Sequence, residues 1–258
     1  MHHIDYLFVP SCSATFHTLS CGECLGGECL KGGFRQMEKR DCRLSARYAE
    51  WSGWHAYEAQ DQLYLGGLHT QANSNNRKLE DTWNPRQTEP FKMKFGCQTR
   101  VSGAFRGQLA DGIMGMDKGR AALWRQWQKA DPSKRKQAFS LCFSRPNTFP
   151  SDDGTSAGAL SLGGTNPVLH QTPMVFATMP SPGSYRFRVN VRHVYMQEAG
   201  SEDIQRLGYS SVSDLHLGTT IIDSGTTDSL FGHSFGNYFN SMFEELAGKE
   251  YTTSIQSM

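Results

Sequence analysis

The sharpest chemical feature of the chain is the string Ile221-Ile222-Asp223-Ser224-Gly225-Thr226-Thr227. Apolar β-branched residues deliver a carboxylate into a turn, and a hydroxyl residue, a glycine and two threonines follow. A carboxylate at a strand end can be held by hydroxyl and backbone donors, which keeps it ionised. The glycine lets another backbone approach closely. Three chemistries fit the string. One is half of a carboxylate dyad that shares a proton and activates a water. Another is a phosphate-binding turn of the kind found in sugar kinases and actin-like ATPases. The third is an Asx-type turn that only ends a strand. Five turn residues alone do not raise the first two above the third.

The second feature is the cysteine distribution. Cys12, Cys21, Cys24, Cys29 and Cys42 crowd the first part of the chain, and only Cys97 and Cys142 follow. Cys21-Gly22-Glu23-Cys24 with Cys29 could open a zinc site built with Cys42, which needs four ligands in tetrahedral array. No second CxxC follows, however, and no His stands at a matching spacing. Disulfides are the preferred reading, and they imply an oxidising compartment: the secretory pathway, a vacuole or the outside. An odd count leaves one thiol over. No Asn-x-Ser/Thr sequon supports secretion independently.

The elements that must position these residues are mostly strands. Residues 1–45 are rich in Gly and Cys and read as loops. Ala46 to Gly67 alternates and fits a hairpin pair, 69–89 is polar and reads as an exposed excursion, and Phe91–Gly96 alternates as a strand. Arg120 to Lys129 reads as a helix stopped by Asp131-Pro132, with Trp124 and Trp127 packing it down and its basic residues forming a wet face rather than a nucleic-acid patch. Phe139–Phe143, Ala159–Gly164 and Tyr185–Tyr195 read as strands, Thr219–Ile222 as a short β run, and Phe235–Leu246 as an amphipathic helix. A chain of 258 residues with formal net charge +1 and 38% hydrophobic residues supports a packed core and gives no reason to expect a polyanion. No apolar run reaches the roughly 20 residues of a membrane helix, and the Met1–Asp5 start lacks a signal-peptide pattern.

In order, the chain presents a Tyr-containing hairpin around Tyr48-Ala49-Glu50-Trp51-Ser52, then Phe95-Gly96-Cys97, Asp111-Gly112-Ile113-Met114-Gly115-Met116, Phe139-Ser140-Leu141-Cys142-Phe143-Ser144, a strand ending Gly163-Gly164, and Asp223-Ser224-Gly225-Thr226. This series resembles the pepsin family of aspartic proteases, and most closely its cysteine-rich protist and plant members, from Asp5 to about Leu246. The resemblance implies an all-β, bilobal fold with a lobe boundary near Thr172-Pro173, so that 1–172 is a first lobe and 173–258 the front of a second. It implies Asp223 as a catalytic aspartate. Ser224 matches a hydroxyl that bonds across the lobe interface, Thr226 one that bonds the carboxylate, and Gly225 the turn between them. Tyr48 matches the flap tyrosine, although the family usually has a glycine where Trp51 stands. Ile113, Met114 and Gly115 match an element that braces the first catalytic loop.

The family needs two aspartates, and only Asp223 in this sequence precedes Ser/Thr-Gly. The segment His3–Ser11 resembles the stretch just after the missing first Asp-Thr-Gly-Ser. The expectation is therefore an internal fragment of a longer parent, inactive as a peptidase by itself, with the odd cysteine's partner in an absent segment. The resemblance further implies a polypeptide substrate, no cofactor, no metal, no nucleic acid and a monomer. A prosegment or membrane anchor on the parent stays open. The alternatives are a non-catalytic pepsin-like homologue that binds peptides, a phosphate-binding kinase or ATPase, and a zinc module.

Overall fold

The computed structural model describes residues 8–29, 41–48, 50–65, 68–71, 80–83, 89–107, 110–143, 158–166, 170, 172–180, 183–198, 200–207, 220–226 and 229–247. The chain divides into two compact units, Met1–Pro173 and Met174–Met258. Strands dominate the chain as a whole, in keeping with the all-β reading, while the second unit combines four short strands with one longer helix among its described residues.

The first unit is organised around one long strand. β1 (His17–Thr18), β2 (Glu28–Cys29), β3 (Cys42–Arg47), β4 (Gly53–Leu63) and β7 (Phe91–Ser102) form an antiparallel sheet in which β4 is central. Its first half pairs with β3 and its second half with β1, while β7 runs along its whole other side. Burial explains the centrality: Ala56 and Ala59 on β4 are buried with Leu19, Cys42 and Phe91, and small residues let neighbouring layers close. The register slips between His55 and Ala56, a β-bulge that bends the pair.

Helix α1 (Leu123–Ala130) lies against β7. Leu123 and Trp124 are its buried residues, and the Trp124 indole N–H donates to the Asp117 carbonyl at 2.7 Å. Gln126 clamps the outer edge of β7: its Oε1 accepts from the Lys94 N–H at 2.9 Å and its Nε2 donates to the Lys94 carbonyl at 2.8 Å. A side-chain amide thus satisfies a strand edge that would otherwise offer unpaired backbone groups. The helix ends at Asp131, where the sequence expects it. Its basic neighbours are engaged within the unit. The Arg120 Nε donates to the Leu25 carbonyl, Arg135 donates to the Trp127 and Glu89 carbonyls, and Lys134 pairs with Asp131. β8 (Phe139–Phe143) and β9 (Gly158–Leu162) form a separate hairpin.

Three sequence expectations need correction. The 1–45 segment contains strands β1, β2 and the start of β3, because the disulfides described below pull it onto the sheet. The 69–89 excursion includes a hairpin, β5 (Leu68–Gln71) with β6 (Glu80–Trp83); residues 72–79 and 84–88 lie outside the described residues. The Tyr185–Tyr195 run is not one strand.

In the second unit that run splits into β10 (Arg188–Val189) and the start of β11 (Tyr195–Gln197), with irregular backbone between them. Alternation sets which side chains face inward, but strand geometry persists only where a neighbour supplies ladder bonds. β10 finds β13 (Thr220–Ile221), and β11 finds β12 (Ile204–Arg206). Helix α2 (His233–Ala247) carries the buried Phe235, whose ring meets Phe231 at 5.1 Å; Phe231 also meets Phe239 at 5.0 Å. Among the described residues of this unit Leu207 is likewise fully buried. No helix among the described residues is long and apolar enough to cross a membrane.

Candidate functional site

Asp223 stands where the β10–β13 ladder gives out. Arg188 faces Ile221 and Val189 faces Thr220, and one further bond runs from the Ile222 N–H to the Phe187 carbonyl at 2.9 Å. The chain then turns. Asp223 Oδ1 accepts from the Gly225 N–H at 2.9 Å, and Oδ2 accepts from the Thr226 hydroxyl at 2.8 Å. A Cβ on residue 225 would stand 3.3 Å from Oδ1, so glycine there gives the carboxylate room to accept its backbone donor.

The electrostatics follow from these contacts. The Gly225 N–H, then the Thr226 hydroxyl, lower the Asp223 pKa below the ordinary carboxylate value; slight burial opposes them and the Arg186 charge adds to them. The group is an ionised, solvent-exposed carboxylate. Ser224 is exposed beside it. The turn is of Asx type in its bonding, and it also presents a fixed anion with two preorganised donors. The sequence string therefore assembles as a unit: Asp223, Gly225 and Thr226 are joined by hydrogen bonds, and Ser224 sits between them.

Tyr48 belongs to the first unit. It lies at the tip of the β3–β4 hairpin, where its N–H donates to the Ser52 carbonyl at 2.8 Å and its carbonyl accepts from the Trp51 N–H at 3.0 Å. Its hydroxyl accepts from the Trp54 indole at 3.4 Å, and its ring meets Phe105 edge-on at 5.2 Å. Trp51 has φ of 69° and is 73% exposed, with the Arg47 guanidinium 4.7 Å above its ring. A positive φ is the conformation glycine takes without steric cost. The glycine expected at this place thus has a backbone reason, and tryptophan occupies the same left-handed position. Ile113 and Met114 are about half exposed.

The cysteines resolve into two disulfides, Cys21–Cys29 and Cys24–Cys42. Cys12, Cys97 and Cys142 stand outside them. Cys24, Cys42 and Glu58 do place donor atoms within 4.8 Å of one another, but the two sulfurs are bonded together.

Sequence reasoning overlooked Glu58. It is 3% exposed, and its two oxygens accept from the Leu25 N–H at 2.9 Å and the Gly26 N–H at 2.7 Å. A charged side chain among the apolar alternation of β4 is the signal that could have marked it. At the adjoining Gly27, a Cβ would lie 2.8 Å from the Arg43 carbonyl and 3.1 Å from Glu58 Oε2. Arg186 and Arg188 were also read only as the polar face of a strand.

A family model described as xylanase inhibitor N-terminal matches residues 2–164, which is more than half of the chain and ends before Asp223. No curated protein matches the sequence. The chain belongs to this xylanase inhibitor N-terminal family, a domain of the pepsin-like aspartic protease type.

Proposed function

We propose that Asp223 is the second-lobe catalytic aspartate of a pepsin-type endopeptidase, and that these 258 residues supply only one of the two carboxylates the reaction needs. The reading rests above all on the Asp223 turn, with its carboxylate held by the Gly225 N–H and the Thr226 hydroxyl. The family membership of the preceding residues adds to it. In the complete reaction two aspartates share a proton. One carboxylate takes a proton from water as the oxygen attacks the scissile carbonyl carbon, and the other carboxyl protonates the carbonyl oxygen. The tetrahedral diol then collapses, the C–N bond breaks, and the amine leaves protonated. Among the described residues Asp223 has no like-charged neighbour that raises its pKa, since the causes of its shift include no carboxylate. Tyr48 is proposed as a residue that closes over substrate. The paired disulfides fit a protein made on the secretory route.

The test begins with the reading frame ahead of His2. An Asp-Thr/Ser-Gly there, together with acid-pH cleavage of an unfolded protein by the full-length product, supports the enzyme. Asp223→Asn should remove that cleavage, and wild-type turnover in this variant overturns the role. The 258-residue chain alone should show no pepstatin-sensitive cleavage.

A second reading, a homologue that binds polypeptides without cutting them, is favoured by the inhibitor named in the matched family's description. It is supported if the full-length protein lacks the first aspartate and still retains a protein ligand.

A further inference from the structure

The second unit has an open depression of about 500 Å³ lined by Gly183, Ser184, Tyr185, Arg186 and Arg188. Its chemistry is lopsided. Among the described residues two guanidinium groups line it and no carboxylate does, and the nearby Asp223 carboxylate feels the Arg186 charge from outside the lining. Neither arginine forms an ion pair among the described residues. The Arg188 Nε is buried and has no hydrogen-bond partner among the described residues. A buried guanidinium N–H without an acceptor costs free energy that an incoming anion would recover.

The backbone explains why both arginines are held there. Arg188 lies on β10 opposite Ile221, and the Phe187 carbonyl receives the Ile222 N–H. Arg186 lies in the bend that precedes β10, and both arginines line the same depression. The Ser184 hydroxyl accepts from the Arg186 N–H at 3.2 Å and fixes the bend into this segment. Tyr185 presents an exposed ring at the rim, suited to cover the aliphatic part of a bound side chain rather than a small hydrated ion.

We infer that Arg186 and Arg188 form a recognition site for the carboxylate of an acidic side chain, Glu or Asp, on a polypeptide bound beside Asp223. A planar carboxylate suits a guanidinium fork, which binds it through paired N–H donors. The open shape suits a side chain arriving on an extended peptide. The inference deepens the proposed function by naming a substrate preference, and it rests on that reading only for the statement that the bound polypeptide is cut.

Direct binding to the intact 258-residue chain tests it without requiring hydrolysis. Two fluorescent peptides of the same extended sequence, one with a central Glu and one with Gln, are titrated and followed by polarisation. The Glu peptide should bind about tenfold more tightly, the order expected of a charge-assisted hydrogen bond, and the difference should shrink at high salt. Arg186→Gln and Arg188→Gln should each erase most of the preference. Arg188→Lys should keep part of it, and Arg106→Gln in the first unit should leave it unchanged. Far-UV circular dichroism identifies any variant that fails to fold, and the lysine variant then carries the test. Equal binding of the two peptides overturns the inference. Retained preference in the Arg186→Gln/Arg188→Gln double variant overturns it as well. Competition by inorganic phosphate without Glu-over-Gln discrimination assigns the site to free anions and also overturns it. A Glu preference with no peptidase activity in the full-length protein removes the catalytic reading and leaves this site standing. Activity without the preference does the reverse.

Discussion

Replacing Trp51 by glycine and by alanine separates backbone strain from side-chain contact at the hairpin tip. Both changes remove the indole and its stacking with Arg47, which at an exposed site is worth about 0.5–1 kcal/mol. They differ in what φ of 69° then costs. An L-residue pays about 1–2 kcal/mol to sit in the left-handed region, whereas glycine does so freely. Glycine gives back roughly 0.4–1 kcal/mol through the greater freedom of its unfolded chain. The net expectation is that Trp51→Gly is more stable than Trp51→Ala by about 1 kcal/mol. At an ordinary extended position alanine leads by roughly 0.5–1 kcal/mol, so the sign of the difference is itself diagnostic. Wild type should lie between the two variants or close to Trp51→Gly. Urea unfolding monitored by circular dichroism supplies the midpoints and slopes. The hydrogen-exchange rate of the Tyr48 amide, which donates to Ser52, reports on the tip alone. If Trp51→Ala equals or exceeds Trp51→Gly in stability, the left-handed assignment and the glycine logic drawn from it are wrong.

Other outcomes follow from the same geometry. Glu58→Gln replaces one acceptor with an amide N–H facing a backbone N–H, so it should destabilise the first unit by about 2–3 kcal/mol in urea unfolding; a loss under 0.5 kcal/mol would show that the carboxylate is dispensable. Thr226→Val removes one of two donors to Asp223, so the Asp223 carboxyl resonance in an NMR titration should move up toward the ordinary carboxylate range; an unmoved titration refutes the contact. Asp61 is lowered mainly by the Thr15 hydroxyl, with Ser13 and the Gln62 N–H adding to it. A lowered native pKa contributes stability that is complete above the ordinary carboxylate range and is lost as pH falls through it. Thr15→Val should therefore diminish the acid-side slope of stability below about pH 5 and leave the neutral plateau's slope unchanged, as measured by urea midpoints across pH.

Much of this was legible in the sequence for identifiable physical reasons. The helix at Leu123–Ala130 is announced by Trp124 and Trp127 at helical spacing and by Asp131-Pro132 beyond them. The Asp223 turn is local, so its hydrogen bonds can be anticipated from four consecutive residues. Contacts across long sequence separations were not legible. Glu58 meets backbone amides more than thirty residues away; its charge within β4 could mark it as unusual, but not name those partners. Cysteine crowding pointed to disulfides but not to their partners, and Cys12, one of the crowd, joins neither. The Tyr185–Tyr195 run alternates in sequence but does not form a continuous strand, since a ladder depends on neighbours the pattern does not contain.

All seven cysteines precede Pro173, and the unit from Met174 onward contains none. The two halves therefore answer differently to redox conditions. Each disulfide closes a short loop, with sequence separations of 8 and 18 residues, and a loop of that size contributes about 3 kcal/mol. A thiol-rich environment would slacken the Glu58-anchored loop while leaving the Asp223 turn and the arginine-lined depression chemically untouched. Production in a reducing cytosol would put the hairpin-bearing portion at risk, whereas the portion bearing Asp223 has no thiol or disulfide of its own to respond.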